Sequence, residues 1–177
     1  MTMKYVSTNW KNAVGDAELG LMTIEQAYRV QDINARYVEA IDDDRLEAWP
    51  DFFTEDGRYR ITTAENVAQG LPLSLIYATS RAMLRDRVRA LREANVYEAQ
   101  RYRHILGPAR IAPAEEGGVR AATSFMVARI MHTGETALFA TGRYLDRIVL
   151  TGETARFAEK TVILDSRQVD TLLAIPL

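Results

Sequence analysis

The second half of the sequence is organised as four stretches of strand length that short glycine-containing links connect. Apolar and polar residues alternate along these stretches, as expected of β-strands with one buried face. The links read Glu-Gly-Gly, Thr-Gly-Glu and Thr-Gly-Glu, which are sequences that form tight turns between antiparallel neighbours. The predicted strands cover residues 102–112, 119–131, 136–150 and 155–165. A long antiparallel meander is therefore the constraint that any fold of this chain must satisfy.

One face of this predicted sheet is expected to pack against helices, and the other is expected to remain available. A sheet with one apolar face needs a covering layer, and the first half of the sequence has helical patterns that can supply it. The packed face is predicted to contain Phe125, Val127, Phe139, Leu145, Phe157 and Ile163.

The first of these helices has clear start and stop signals. Thr23 and Gln26 fit a capping box, and apolar residues follow from Val30 to Ile41 at spacings of three and four. The aspartates at 42–44 are expected to end this helix and to cap a short second one.

The second helix is predicted to contain Leu46 and Trp49 and to end at Pro50, because proline disfavours helical conformation in the residue before it. A short strand is expected at 58–63, with Tyr59 and Ile61 on one side.

The segment 64–72 is predicted to be a loop, and 77–93 is predicted to be a third helix. One side of that helix has an arginine stripe, which we interpret as a solvated face, with a docking face as the alternative. The stripe consists of Arg81, Arg85, Arg89 and Arg92.

Helices followed by a curved antiparallel sheet indicate an α+β fold. This order suits a cone-shaped domain of the nuclear-transport-factor-2-like (NTF2-like) or cystatin-like type, in which the sheet wraps around the first helix. Residues 1–20 are expected to form a polar N-terminal arm, and 21–177 are expected to form a single domain.

The composition excludes several kinds of site. The sequence has no cysteine and two histidines, so this chain alone cannot form a disulfide, a thiolate metal site or a Rieske cluster. The net charge of −2 gives no indication of nucleic-acid binding. No stretch resembles a signal peptide or a membrane span, so a cytoplasmic protein without a membrane partner is expected.

Arginine greatly outnumbers lysine in this chain. Lysine occurs only at positions 4, 11 and 160, which leaves nineteen arginines among the 22 basic residues. Arginine suits ion pairs at packed interfaces, so the bias indicates subunit contacts. GC-rich coding DNA is an alternative explanation of the same bias.

The best candidate for acid–base catalysis in the sequence is His104, which lies in the stretch Arg101, Tyr102, Arg103, His104. His104 together with a carboxylate from 42–44 and a tyrosine such as Tyr59 could move protons in a cone-shaped pocket. The alternative is that His104 belongs to a packed polar cluster, with no catalytic, cofactor-binding or metal-binding residue in the chain. His132 fits an ordinary polar turn residue.

Several segments together resemble a known family. They read WPDFF at 49–53, NVAQGLPL at 66–73, REANVYE at 92–98, RYRHILG at 101–107, RIMHTGETALFATGRYLD at 129–146 and ILDSRQVDTLLAIPL at the end. The chain resembles the small, or beta, subunits of Rieske non-haem iron aromatic-ring-hydroxylating dioxygenases, and those of terephthalate dioxygenases in particular. Salicylate hydroxylase small subunits are also similar over residues 49–73.

This resemblance implies a non-catalytic small subunit with the cone-shaped fold. The large, or alpha, subunit would hold the Rieske [2Fe–2S] cluster and the mononuclear Fe(II), and a reductase would deliver electrons from NAD(P)H. The small subunit would self-associate as a trimer within an α3β3 hexamer acting on an aromatic carboxylate. Arg101, Tyr102, Arg103, His104 and Trp49 are then candidates for a subunit interface or a structural polar cluster. The second hypothesis is a stand-alone dehydratase or isomerase with His104 and an aspartate as its acid–base pair.

Overall fold

The structure is a computed structural model that describes residues 22–93, 98–114, 118–167, 173 and 175–177. The expected arm at 1–20 lies outside the described residues, as does most of the predicted turn at 116–118. The assignment of 21–177 to one domain stays a prediction. No helix among the described residues is long and apolar enough to cross a membrane.

Helix α1, Ile24–Asp42, begins at the predicted capping box. The Gln26 amide donates to the Thr23 hydroxyl at 3.1 Å, and the Thr23 amide donates to the Gln26 side chain at 2.9 Å. Two otherwise orphaned backbone donors are satisfied in this way. The predicted apolar face is buried, which confirms both the helix and its orientation toward the sheet.

A 3-10 helix, Leu46–Phe52, follows α1, but two details of its prediction are wrong. No side chain caps its start at Arg45, since the Asp42 carboxylate is buried and bonds elsewhere. Pro50 lies inside the helix, where its carbonyl still accepts the Phe53 amide. A tight helix with i to i+3 bonds accommodates the fixed φ of proline.

The segment after the 3-10 helix contains more structure than the sequence predicts. Strand β1, Phe53–Thr63, starts earlier than expected, and Tyr59 and Ile61 both face the core. Helix α2, Ala64–Ala68, occupies part of the predicted loop, because the Thr63 hydroxyl caps it. Strand β2, Ile76–Ala78, pairs with β1, so helix α3, Arg81–Glu93, starts later than predicted.

The predicted strand at 102–112 is two strands, β3 (Gln100–Leu106) and β4 (Arg110–Pro113). Both pair with β5, Val119–Met131, and the break falls at Gly107 and Pro108. Proline has no amide hydrogen to give to a strand ladder, which explains the interruption. Strands β6, Thr136–Thr151, and β7, Thr154–Leu164, agree with their predicted positions to within one residue.

The described residues form one seven-stranded sheet in the order β2, β1, β7, β6, β5, β3, with β4 also paired to β5. Strands β5, β6 and β7 form the predicted meander, but β1 pairs with β7 in parallel. The sheet is therefore mixed rather than purely antiparallel. A parallel neighbour is allowed here because a long connection separates the two strands in the chain.

Two β-bulges make part of the predicted packed face wrong. One interrupts the β5–β6 register at Phe139, and the other interrupts the β6–β7 register at Ala158. An inserted residue reverses which side chains point inward beyond it. Phe125, Val127 and Phe157 lie on the core face, as predicted. Leu145 and Ile163 come after the two bulges, and the register places them on the opposite face.

We predict that Gly142→Ala strongly destabilises the fold. A Cβ at Gly142 would overlap the Ile163 carbonyl oxygen and approach the Phe125 ring to 3.0 Å, so strand β7 or the ring must move. The free energy of unfolding should fall by roughly 2–3 kcal/mol in chemical denaturation. Gly107→Ala is the control, since its nearest neighbour would lie at an ordinary 3.6 Å. Equal stability of the two variants would contradict the close packing of β6 and β7.

Candidate functional site

Strand β3 divides the stretch Arg101 to His104 between the two faces of the sheet. Tyr102 and His104 are buried on the helix side, whereas Arg101 and Arg103 are exposed on the other side. Alternation along a strand produces this separation directly. These four residues therefore make two different environments rather than one cluster.

Asp42, the last residue of α1, holds His104 by both its ring and its backbone. The Nδ1 atom of His104 lies 2.6 Å from Oδ1 of Asp42, and the His104 amide donates to Oδ2 at 2.9 Å. The Arg103 guanidinium lies 3.7 Å from the same Oδ2. The carboxylate thus ties α1 to the edge strand β3 and occupies an amide that an added strand would need.

This pair has the geometry of an acid–base dyad but no access for a substrate. The His104 side chain is 0% exposed, and its Nε2 has no hydrogen-bond partner among the described residues. Tyr59 does not complete the dyad, because its hydroxyl donates to the Leu177 carbonyl and accepts from the Leu177 amide, both at 3.0 Å. His132 is exposed and lies 3.2 Å from Glu98.

A second buried polar group lies deeper in the cone. The Lys160 ammonium donates to both oxygens of Asp146, at 3.0 and 3.1 Å, and to the Asn34 side chain at 3.1 Å. Burial lowers the pKa of Lys160 and raises the pKa of Asp146, while their mutual attraction opposes both shifts. The Tyr144 ring also lies against the ammonium, with its centroid at 3.9 Å.

Aromatic side chains fill the space around this charge pair. Tyr37 packs edge-on against Tyr144 and Phe157, with ring centroids 6.3 and 5.5 Å apart. Burial raises the pKa of Tyr37 and Tyr144 well above the ordinary tyrosine value, so both phenols stay neutral. A cleft of about 20 Å³ lies nearby, with room for roughly one water. Its lining includes Phe139, Leu164, Leu173 and Leu177.

Trp49 belongs to this aromatic interior rather than to the surroundings of His104. Its side chain is fully buried, and its ring packs edge-on against Tyr59 at 5.1 Å and Phe53 at 5.9 Å. Large rings in such edge-on contacts stabilise a core beyond the area they bury. The sequence candidate Trp49 is thus a packing residue within this chain.

Three of the four arginines in the α3 stripe form ion pairs with acids of other elements, whereas Arg89 is exposed and pairs with Asp86 of the same helix at 3.8 Å. Arg85 pairs with Asp51 at 3.2 Å, and Arg92 forms a fork with Asp44 and Glu47 at 2.9 and 2.8 Å. These acids lie in or next to the 3-10 helix, so the stripe attaches α3 to that segment. Arg81 likewise pairs with Glu55 at 2.6 Å.

A family model and the sequences of known proteins match this chain, and the matches agree with one another. The family model described as "Ring hydroxylating beta subunit" matches residues 36–171. The beta 1 subunit of the terminal oxygenase component of terephthalate 1,2-dioxygenase from Comamonas sp. is 48% identical, over 81% of this chain and 94% of the relative. The anthranilate 1,2-dioxygenase small subunit of Burkholderia cepacia is 38% identical, over 85% of this chain and 93% of that one.

This chain belongs to the ring-hydroxylating beta-subunit family. A crystal structure from Novosphingobium aromaticivorans, named as the beta subunit of an aromatic-ring-hydroxylating dioxygenase, superposes with a TM-score of 0.78. It is 41% identical, and the match covers 85% of this chain and 96% of that one. The resemblance and the cone-shaped NTF2-like fold predicted from sequence are both confirmed, and the chain is the small subunit of an oxygenase component.

The donor set of this beta subunit does not suit the iron groups associated with such oxygenases. It has no cysteine thiolate, which every Rieske cluster requires. Among the described residues, no group of three or more His, Cys, Asp or Glu side chains could hold a metal ion.

Sequence reasoning missed the buried trio of Asn34, Asp146 and Lys160. The sequence did contain an indication of this trio, because Asp146 and Lys160 are charged residues within strands that are otherwise apolar on one face. The bulge at Ala158 hid the pairing, because counting from Phe157 places Lys160 on the wrong face.

We predict that Lys160→Met lowers the free energy of unfolding by about 3–5 kcal/mol, because Asp146 is then buried without its partner. The double variant Lys160→Met with Asp146→Leu should recover most of this loss. Chemical denaturation measures both. Arg36→Met is the control, since it removes an exposed pair with Asp32 and should cost less than about 1 kcal/mol. A double variant as unstable as the sum of its single changes would disprove the pairing.

Proposed function

We propose that this chain is the non-catalytic small subunit of a dioxygenase that acts on an aromatic carboxylate of the terephthalate type. It would assemble with the large subunit as an α3β3 hexamer, in which the large subunit holds the Rieske cluster and the mononuclear iron. A separate reductase would supply electrons from NAD(P)H. Terephthalate is favoured because the beta subunits of terephthalate 1,2-dioxygenase are 47–48% identical to this chain.

The packing of the described residues inside the cone is the observation that supports the non-catalytic role. The interior of the cone is where a substrate would lie. It contains the Lys160 ammonium and, packed against it, the rings of Tyr37, Tyr144 and Phe157. The cleft beside these rings, at about 20 Å³, is far smaller than the several hundred Å³ of a typical substrate site.

The alternative is a stand-alone dehydratase or isomerase, and one observation favours it. His104 and Asp42 do meet in the arrangement that orients a histidine for general base catalysis. A base must also reach the proton that it removes, and the side chain of His104 has no exposed surface. The dyad therefore supports a structural role, in which it ties α1 to β3.

The first test is purification of the tagged chain from its native host. We expect a brown complex with equimolar large subunit, iron–sulfur absorbance and the mass of three plus three subunits. The complex should oxidise terephthalate when reductase and NAD(P)H are supplied. A colourless species that contains this chain alone and dehydrates or isomerises small substrates would overturn the proposal in favour of the alternative.

His104→Ala is expected to weaken stability or assembly while leaving turnover per intact large subunit nearly unchanged. The variant leaves the Asp42 carboxylate buried without its ring partner, which should cost about 2–5 kcal/mol of unfolding free energy. His132→Ala is the matched control, since that side chain is 58% exposed and should change neither property. A large fall in turnover within a fully assembled His104→Ala complex would show that the dyad takes part in catalysis.

A further inference from the structure

The sheet face opposite the helices has a patch of exposed apolar side chains at its β3 end. Ile105 is 58% exposed, Met126 is 42% exposed and Leu138 is 63% exposed. Single exposed apolar side chains are ordinary, whereas a contiguous group with polar residues around it is a candidate interaction surface.

The strand register shows that these three side chains are neighbours. Ile105 on β3 lies directly opposite Met126 on β5. Leu138 on β6 lies opposite Ala128, which follows Met126 by two residues and so points to the same side of the sheet. The three residues, which we call the outer apolar patch, therefore span three adjacent strands.

Arginines border this patch along the β3 edge. Arg101 and Arg103 precede Ile105 at intervals of two, so all three share one face of the strand. Both arginines are exposed, and the Arg103 side chain is 60% exposed despite its contact with Asp42. Arginine beside apolar surface is typical of the centre of protein interfaces, where lysine is depleted.

The charge of this border decides which partner fits. A second copy that met the same patch about a twofold axis would place arginines against arginines, which is repulsive, whereas the threefold contacts of the proposed hexamer join two different surfaces of the chain. The partner must therefore contribute carboxylates around an apolar centre. It must also approach over the sheet face, since Asp42 occupies the His104 amide at the strand edge.

We infer that the outer apolar patch and its arginine border are the surface on which the large subunit docks, through an apolar area rimmed by Asp or Glu side chains. This inference rests on the proposed function, because it takes the large subunit as the partner.

The test measures binding of the large subunit recovered with the wild-type chain to variants of this chain. Leu138→Ser should weaken binding at least fivefold by removing apolar contact, and Arg101→Glu should weaken it at least tenfold by opposing the acidic rim. The effect of Arg101→Glu should shrink in 1 M salt, where the screening length is about 3 Å. The effect of Leu138→Ser should persist in that salt.

Matched controls lie on the helix side of the molecule. Tyr28→Ser removes another side chain that is 67% exposed, and Arg89→Glu reverses a charge whose side chain is 67% exposed. Both controls should change the affinity less than twofold. The melting temperature and the mass of the isolated chain are recorded for every variant.

Three results would overturn the assignment. Unchanged affinity of both patch variants would show that the large subunit binds elsewhere. A lower melting temperature of Leu138→Ser would show that the patch is packed within the chain itself, and a lower mass of the isolated variants would show that a second copy covers it. If the wild-type chain binds no large subunit, the proposed function fails as well, which separates that failure from these three.

Discussion

The register of β5, β6 and β7 is the constraint on which the rest of the structure depends. Each bulge changes the face on which the following side chains lie, and the bulge at Ala158 brings Lys160 opposite Asp146 inside the cone. Without that inserted residue, the ammonium would point away from the helices. The strand pairing thus places two charges in an interior where they are stable only as a pair.

The same register fills much of the interior formed by the described residues, in a fold that can enclose a pocket. The Asn34 side chain from α1 accepts a hydrogen bond from the Lys160 ammonium in addition to the two that Asp146 accepts. The Tyr37 ring from the same helix fills the space beside the ammonium. A charge held by a carboxylate, an amide and aromatic faces has no need of water or ligand. The described part of the interior consequently serves stability.

Helix α1 connects this interior with strand β3 through its last residue. Asp42 accepts from the His104 ring and amide, so the helix end fixes the edge of the strand that carries Arg101, Arg103 and Ile105. A strand backbone that is already held in place needs less ordering when a partner binds, and pre-organised surfaces bind more tightly for that reason. The dyad that resembles an active site thereby positions the surface on which we propose that the large subunit docks.

The sequence by itself determined the helix with its capping box, the three long strands of the meander and, through the absence of cysteine, the kinds of metal site that this chain cannot build. These depend on local periodicity, turn residues and composition. Only the tertiary structure decided the parallel pairing of β1 with β7, the meeting of Asp42 with His104 and the pairing of Lys160 with Asp146. Each joins residues distant in sequence through register and bulges, and local patterns contain no information about which distant segment becomes a neighbour.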